Sequence, residues 1–262
     1  MDKKLPVISL LSLAISAILA GCGGGDSSSQ PTTPTTPEAK SLSVKAIDGY
    51  LKGAEVWLDT NGNNVLDSGE PYALSMKGGV ANLDVTNVAN PGAYRVLVKA
   101  IAGKTVDETT GPVTKSFAMS APAGVTVVTP LSTLVDQTIQ QNPTLTQALA
   151  VAKVAEDLKL PADKLLGDFL QEADASLKKT LQVYAINVAA EVLPSDLADA
   201  DIKQVLDDSQ AVGKALDDYL QTNPLDDETS PDDIRVTKPN EQGVIVVIKD
   251  SDGDDVADAA DA

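Results

Sequence analysis

The hydrophobic pattern of this chain changes at Thr129-Pro130, and that change divides the fold. Before it, short segments rich in β-branched residues alternate apolar and polar positions, as in Val80-Ala81-Asn82-Leu83-Asp84-Val85. Strict alternation predicts half-buried strands of an antiparallel sheet. After it, apolar residues recur at helical spacing from Leu131 to Leu158. We therefore predict an α+β multidomain protein, with an antiparallel β-sandwich at 41–128 and an α-helical domain at 129–223.

The rest of the chain adds helices, a linker and a strand to this plan. Further helices are expected at 161–170, at 173–193 and, with Ser195 as the N-cap, at 196–222. Segment 224–242 is rich in Asp, Glu, Pro, Thr and Ser, and this composition predicts an acidic linker. The last segment, 243–262, begins with the apolar run Val244-Ile245-Val246-Val247-Ile248, which predicts a covered strand.

A twelve-residue segment between two predicted strands, here called the first loop, places oxygen donors at the spacing of a calcium loop. Such loops supply six to eight oxygens from positions 1, 3, 5, 7, 9 and 12, with a backbone carbonyl at position 7. The corresponding donors are Asp59, Asn61, Asn63, the carbonyl of Val65, Asp67 and Glu70. Asn64 occupies position 6, where Gly is usual, and Asn tolerates the left-handed conformation needed there. A polar hairpin turn is the alternative interpretation.

The same spacing recurs at the end of the sequence, in a segment here called the second loop. Its donors are Asp250, Asp252, Asp254, the carbonyl of Val256, Asp258 and Asp261. The segment resembles the calcium loops of thrombospondin type 3 repeats and dockerins, in which the last ligand is Asp. The resemblance implies a second Ca²⁺ site, and a frayed acidic tail is the alternative interpretation.

The N-terminus has the features of a bacterial export signal. A short basic region precedes the apolar run Leu5 to Ala20, which is shorter than the roughly 20 residues that cross a bilayer. Leu19-Ala20-Gly21-Cys22 resembles the lipobox of bacterial lipoproteins. The resemblance implies a signal peptide at 1–21, lipidation of Cys22 with palmitate-like chains and, because Asp does not follow Cys22, an outer-membrane location. The Gly/Ser and Pro/Thr composition of 22–40 predicts a disordered tether.

The predicted sandwich carries a second resemblance, in the segments DGYLKGAEVWLD at 48–59 and PGAYRV at 91–96. Together with the first loop, these segments resemble the B-type repeats of bacterial surface proteins. The resemblance implies an immunoglobulin- or transthyretin-like sandwich that binds calcium through such a loop. It also implies a role as a stalk or spacer in adhesion.

The composition limits the possible functions. The chain contains no His, and its one Cys is the predicted lipid carrier, so catalysis by Ser-His-Asp or Cys-His and imidazole zinc sites are excluded. A net charge of −18 argues against nucleic acid as a partner. We predict a non-enzymatic, lipid-anchored calcium-binding surface protein with a structural or adhesive role and a protein or glycan partner. A polysaccharide-binding module is the alternative, weakened by an aromatic content of 3%, and a two-carboxylate glycosidase is a third hypothesis.

Overall fold

The structure, a computed structural model, describes residues 39–237, 245–253 and 256–260. The predicted signal peptide, Cys22 and all but the last two residues of the tether lie outside these ranges. So do Asp254 and Asp261 of the second loop and the first two residues of the C-terminal segment.

The N-terminal half of the described chain forms small sheets. Its strands are β1 (Ser41–Ala46), β2 (Leu51–Lys52), β3 (Glu55–Asp59), β4 (Tyr72–Leu74), β5 (Val80–Asp84), β6 (Arg95–Ala100), β7 (Val106–Asp107), β8 (Gly111–Pro112), β9 (Phe117–Ala121) and β10 (Val127–Val128). They form sheets of order β10-β1-β5, β2-β7-β8 and β4-β3-β6-β9. These pairs are antiparallel except β1 with β10, which is parallel.

The alternating pattern of the sequence is visible in β5. Ala81 and Leu83 are buried while Asn82 and Asp84 are exposed, as period-two alternation predicts. The central strands β3 and β6 differ, because four consecutive residues of β3 and three of β6 are buried. Both faces of the four-stranded sheet are therefore covered at these central strands, whereas Tyr72 and Leu74 of the edge strand β4 are exposed.

Four α-helices follow in the described chain, α1 (Pro130–Gln141), α2 (Gln147–Leu158), α3 (Ala175–Asn187) and α4 (Ile202–Thr222). At the start of α1, the Thr129 hydroxyl accepts from Ser132 N and the Ser132 hydroxyl accepts from Thr129 N, which is a capping box. A π-turn, Val188–Val192, continues α3. The described residues thus form a mixed α and β fold with four helices and small, mainly antiparallel sheets.

Two helix predictions are wrong. Segment 161–170 contains only the short 3₁₀ turns Ala162–Lys164 and Phe169–Gln171. Gly167 lies between them, and Gly disfavours a continuous helix. Helix α4 begins at Ile202 rather than after Ser195, because the Asp201 side chain accepts from Gln204 N and provides the cap.

The strands and helices share one hydrophobic core. Buried side chains from both halves belong to the same cluster, including Val44, Leu58, Val98, Leu131, Leu158, Tyr184 and Leu216. The described residues from 39 onward also fall in one compact unit. The predicted boundary between 128 and 129 is therefore a change of secondary structure within a continuous core.

The expected acidic linker contains regular structure. A 3₁₀ turn, Pro231–Asp233, leads into β11 (Ile234–Val236), which pairs antiparallel with β12 (Val247–Lys249). The buried Asn187 side chain of α3 donates from Nδ2 to the Ile234 carbonyl at 2.8 Å and accepts from Val236 N at 2.8 Å. One side-chain amide thus holds the two-stranded sheet to α3.

Candidate metal centre

The first loop connects β3 to β4, as the sequence predicts. Asp59, at position 1, is buried, and its carboxylate accepts from Gly62 N at 2.7 Å and from Asn64 N at 3.1 Å. Asn64, at position 6, has φ of 63°, the left-handed conformation that the sharp turn of such a loop requires. The Asp59 carboxylate therefore holds the first half of the loop in a turn by accepting these two backbone hydrogen bonds.

Side chains at positions 3, 5 and 9 converge. Asn61 Nδ2 lies 2.8 Å from Asp67 Oδ2, and Asn63 Nδ2 lies 2.7 Å from the same oxygen. Donation from Asn61, and then from Asn63, lowers the pKa of Asp67 below its usual value. The carboxylate at position 9 is thus held in the charged form that metal binding needs.

Glu70, at position 12, turns both carboxylate oxygens toward the loop. Its Oε1 accepts from Thr60 N at 2.7 Å and from the Thr60 hydroxyl at 3.0 Å, and Oε2 accepts from Asp67 N at 3.1 Å. Val65, predicted to offer its carbonyl, donates its N–H to Asn63 Oδ1 at 2.8 Å. Each predicted donor residue of the first loop therefore lies in one hydrogen-bonded turn.

The donor set is compatible with calcium, because it consists of oxygens. Within the described ranges, no three Asp, Glu, His or Cys side chains form a cluster that holds a metal ion. The first loop combines carboxylates with two amides, and the amide hydrogens of Asn61 and Asn63 face Asp67. Rotating each side-chain amide by 180° would turn its oxygen toward Asp67 instead. That rotation would break the hydrogen bonds that the two Oδ1 atoms accept from Asn63 N and Val65 N.

Arg95, on β6, joins the first loop to α1. Its Nη1 lies 2.6 Å from Asn64 Oδ1 and 3.4 Å from Asp59 Oδ2. Its Nε and Nη2 contact the buried carboxylate of Asp136 on α1, at 3.0 and 2.6 Å. Sequence reasoning missed this network, because the three elements are distant along the chain, although the register of β3 with β6 places Arg95 opposite Asp59.

The described part of the second loop closes on β12. Asp258 accepts from Ser251 N at 2.7 Å and from the Ser251 hydroxyl at 2.8 Å, and these bonds lower the pKa of Asp258. The N–H of Asp258 donates to the carbonyl of Lys249 at 2.8 Å. The buried Asp250 accepts from Gly253 N at 2.8 Å, which resembles the role of Asp59 in the first loop.

One end of the second loop is anchored. Asp250 N donates to the Asp233 carbonyl at 2.7 Å, next to the β11–β12 pair. Asp252 is exposed, and Val256 is 40% exposed. With Asp254 and Asp261 outside the described residues, the ligand set of this loop stays a prediction.

Comparison of the chain with protein-family models, curated proteins and solved structures finds no significant match. In the part of the chain that the structure describes, none of the helices has the length and apolar character to span a bilayer.

Proposed function

We propose that this protein is an exported, lipid-anchored, calcium-binding surface protein with a structural or adhesive role. The observation that carries the proposal is the geometry of the first loop. Positions 3, 5 and 9 are in hydrogen-bond contact, position 6 is left-handed, and both oxygens of Glu70 face inward. Hairpin turns also use left-handed Asn residues, so the convergence on Asp67 and the inward-facing oxygens of Glu70 are the features that favour a calcium loop over a polar hairpin turn.

Calcium suits this loop better than magnesium. Ca²⁺ accepts six to eight oxygens in a flexible geometry, whereas Mg²⁺ demands a near-ideal octahedron and dehydrates reluctantly. The ligands would be Asp59, Asn61, Asn63, the carbonyl of Val65, Asp67 and Glu70. The bound ion supplies positive charge to a loop that carries three carboxylates, and so removes their mutual repulsion.

The position of the loop supports a structural role. It joins two strands of the sheet β4-β3-β6-β9. In the proposed immunoglobulin- or transthyretin-like sandwich, this sheet and the sheet β10-β1-β5 would be the two layers. Both sheets contribute side chains to one core, such as Val44 and Val98. A calcium ion that binds only the folded loop stabilises it by about 1.4 kcal/mol at tenfold excess over its dissociation constant.

The surface location is supported by the sequence around Cys22 and by the tether that follows it. An adhesive or spacer role is favoured over polysaccharide binding, because sugar rings stack on exposed aromatic faces. The single Trp of the chain, Trp57, is only 4% exposed, and Leu97, Ala118 and Leu197 pack around it. Little of this side chain is therefore exposed on the surface for a sugar ring to stack on.

Calorimetric titration of the detergent-purified protein with Ca²⁺ and Mg²⁺ tests the proposal. The wild type should bind Ca²⁺ preferentially, and Glu70→Gln should weaken the binding because one ligand oxygen is lost. Glu156→Gln is the matched control, since it removes the same charge from an exposed position of α2.

Cells that display the wild type or Glu70→Gln should then be compared for surface adhesion with and without calcium. A calcium-dependent difference that Glu70→Gln abolishes supports the adhesive role. Equal calcium binding by the wild type and both variants would reject the first loop as the site.

A further inference from the structure

The side chain of Asn64, at position 6 of the first loop, makes contacts outside the loop. Its Oδ1 accepts from Arg95 Nη1 at 2.6 Å, and its Nδ2 donates to the Leu197 carbonyl at 3.4 Å. A guanidinium group has donors only, so the contact with Arg95 fixes which atom of the amide is the oxygen. Gly, the usual residue at position 6, has no side chain to make either contact.

The backbone conformation of Asn64 does not by itself require Asn. Its φ is 63°, in the left-handed region, which Gly adopts without steric strain and Asn adopts at some cost. Compared with Gly, Asn therefore costs conformational energy at this position and adds two side-chain contacts. The side chain at position 6 thus has a role that is separable from the turn itself.

Arg95, the partner of Asn64, is held in place by Asp136 of α1. Its Nε lies 3.0 Å from both carboxylate oxygens of Asp136, and its Nη2 lies 2.6 Å from Oδ2. Arg95 Nη1 is farther from the Asp59 carboxylate, at 3.4 Å. The closer carboxylate, that of Asp136, is therefore the main counterion of Arg95, and the Asp59 carboxylate remains available to an ion.

Asp59 is oriented by the turn that Asn64 completes. Its Oδ2 accepts from Asn64 N at 3.1 Å, and its Oδ1 accepts from Gly62 N at 2.7 Å. Movement of Asn64 would therefore move a donor that orients the carboxylate at position 1. Through its side chain and its backbone N–H, Asn64 connects the buried guanidinium of Arg95 to the first predicted ligand.

We propose that Asn64 and Arg95 are positioning residues of the first loop, which hold the turn at position 6 against β6 and α1 and so preorganise Asp59 for calcium. This inference rests on the proposed calcium function and adds a source of affinity outside the loop. A preorganised loop loses less conformational freedom when the ion binds, which raises affinity. By linkage, calcium binding strengthens the attachment of the loop to Arg95 in return.

Calorimetric titration of the full-length protein with Ca²⁺ tests this role through Asn64→Gly. All proteins compared carry Asp258→Asn, so that the second loop contributes little to the signal. Gly keeps the left-handed turn, yet Asn64→Gly should bind Ca²⁺ roughly 5- to 30-fold more weakly, the cost of ordering one further residue.

Asn90→Gly is the matched control. Asn90 is also left-handed, with φ of 51°, but it is exposed and its side chain makes no capping hydrogen bond among the described residues. It should bind Ca²⁺ like the parent protein. If position 6 needed only its backbone conformation, Asn64→Gly would bind as well as this control or better.

A double-mutant cycle with Arg95→Lys tests whether the two residues act together. Lys keeps the charge but lacks the planar fork that reaches Asn64 and Asp136 at once. The loss of binding free energy in the double variant should be smaller than the sum of the two single losses, and an exact sum would contradict a joint role. Thermal unfolding checks each fold, and if Arg95→Lys does not fold, the comparison of Asn64→Gly with Asn90→Gly decides alone.

Hydrogen exchange without calcium gives a readout that does not depend on the ion. The N–H groups of residues 62 and 64, which donate to Asp59, should exchange faster in Asn64→Gly than in Asn90→Gly. Absence of calcium binding by the parent protein would reject the calcium function together with this inference. Binding and exchange that are equal in the two Gly variants would overturn the positioning role and leave the calcium function standing.

Discussion

The Nη2 atom of Arg95 lies 2.6 Å from Oδ2 of Asp136, and the two side chains are only 12% and 1% exposed. The same guanidinium contacts Asp59, the first residue of the candidate calcium loop. Asp136 also accepts from the Ser120 hydroxyl at 2.5 Å. A buried charge network therefore connects the loop, the four-stranded sheet and α1.

The first prediction is that Asp136→Asn destabilises the fold strongly. Removal of one partner leaves the Arg95 charge poorly compensated inside the protein, which typically costs about 3–5 kcal/mol. Urea unfolding measures the change. Asp207→Asn is the control, because its pair with Lys203 is exposed and should contribute little. Equal effects of the two substitutions would contradict a structural role for the network.

The second prediction is that the first loop fills at lower calcium than the second. Strands lie at both ends of the first loop, whereas β12 anchors one end of the second loop. Ordering the second loop costs on the order of 1–2 kcal/mol per residue, which opposes its larger number of carboxylates. Its affinity should also fall more steeply with salt.

Titration of Glu70→Gln and Asp258→Asn at two ionic strengths separates the two loops, because each variant leaves the other loop intact. If the second loop bound calcium more tightly than the first, residues after Asp258 would also have to pack against the folded protein.

The third prediction concerns pH and Asp48. Burial, and then the nearby charges of Asp107 and Asp232, raise its folded-state pKa above the unfolded value, so the folded state binds the proton more tightly. Stability from this group is therefore present at low pH and decreases as pH rises from about 3.9 through the raised pKa. Asp48→Asn should be more stable than the wild type at neutral pH, and the difference should shrink near pH 4. Denaturant unfolding across this pH range measures the stability difference between the variant and the wild type. A difference that does not change with pH would contradict a raised pKa of Asp48.

The fourth prediction concerns Cys22, whose thiol is the only one in the chain. Cys22→Ser should prevent incorporation of labelled palmitate and leave the protein unprocessed or mislocalised. Metabolic labelling followed by membrane fractionation measures both effects. Labelling that persists in the variant would exclude lipid attachment at this residue.

Local patterns in the sequence predict local structure well. The alternation of β5 and the turn at Asn64 follow from neighbouring residues, so they could be recognised without tertiary information. Strand β11 was missed because its short pairing depends on β12 and on the side chain of Asn187. The Arg95–Asp136 pair and the carboxylates around Asp48 come from distant segments, and no local pattern predicts which charges the fold brings together.

The shared core also determines how the protein unfolds. Leu131 and Val135 of α1 are completely buried in the same cluster as strand residues such as Val98. Cutting the chain between 128 and 129 would expose apolar surface on both fragments, so neither fragment should remain folded and soluble on its own. Circular dichroism signals of strands and helices should therefore disappear in a single cooperative transition. Unlike a string of autonomous modules, this body would resist a pulling force as one mechanical unit.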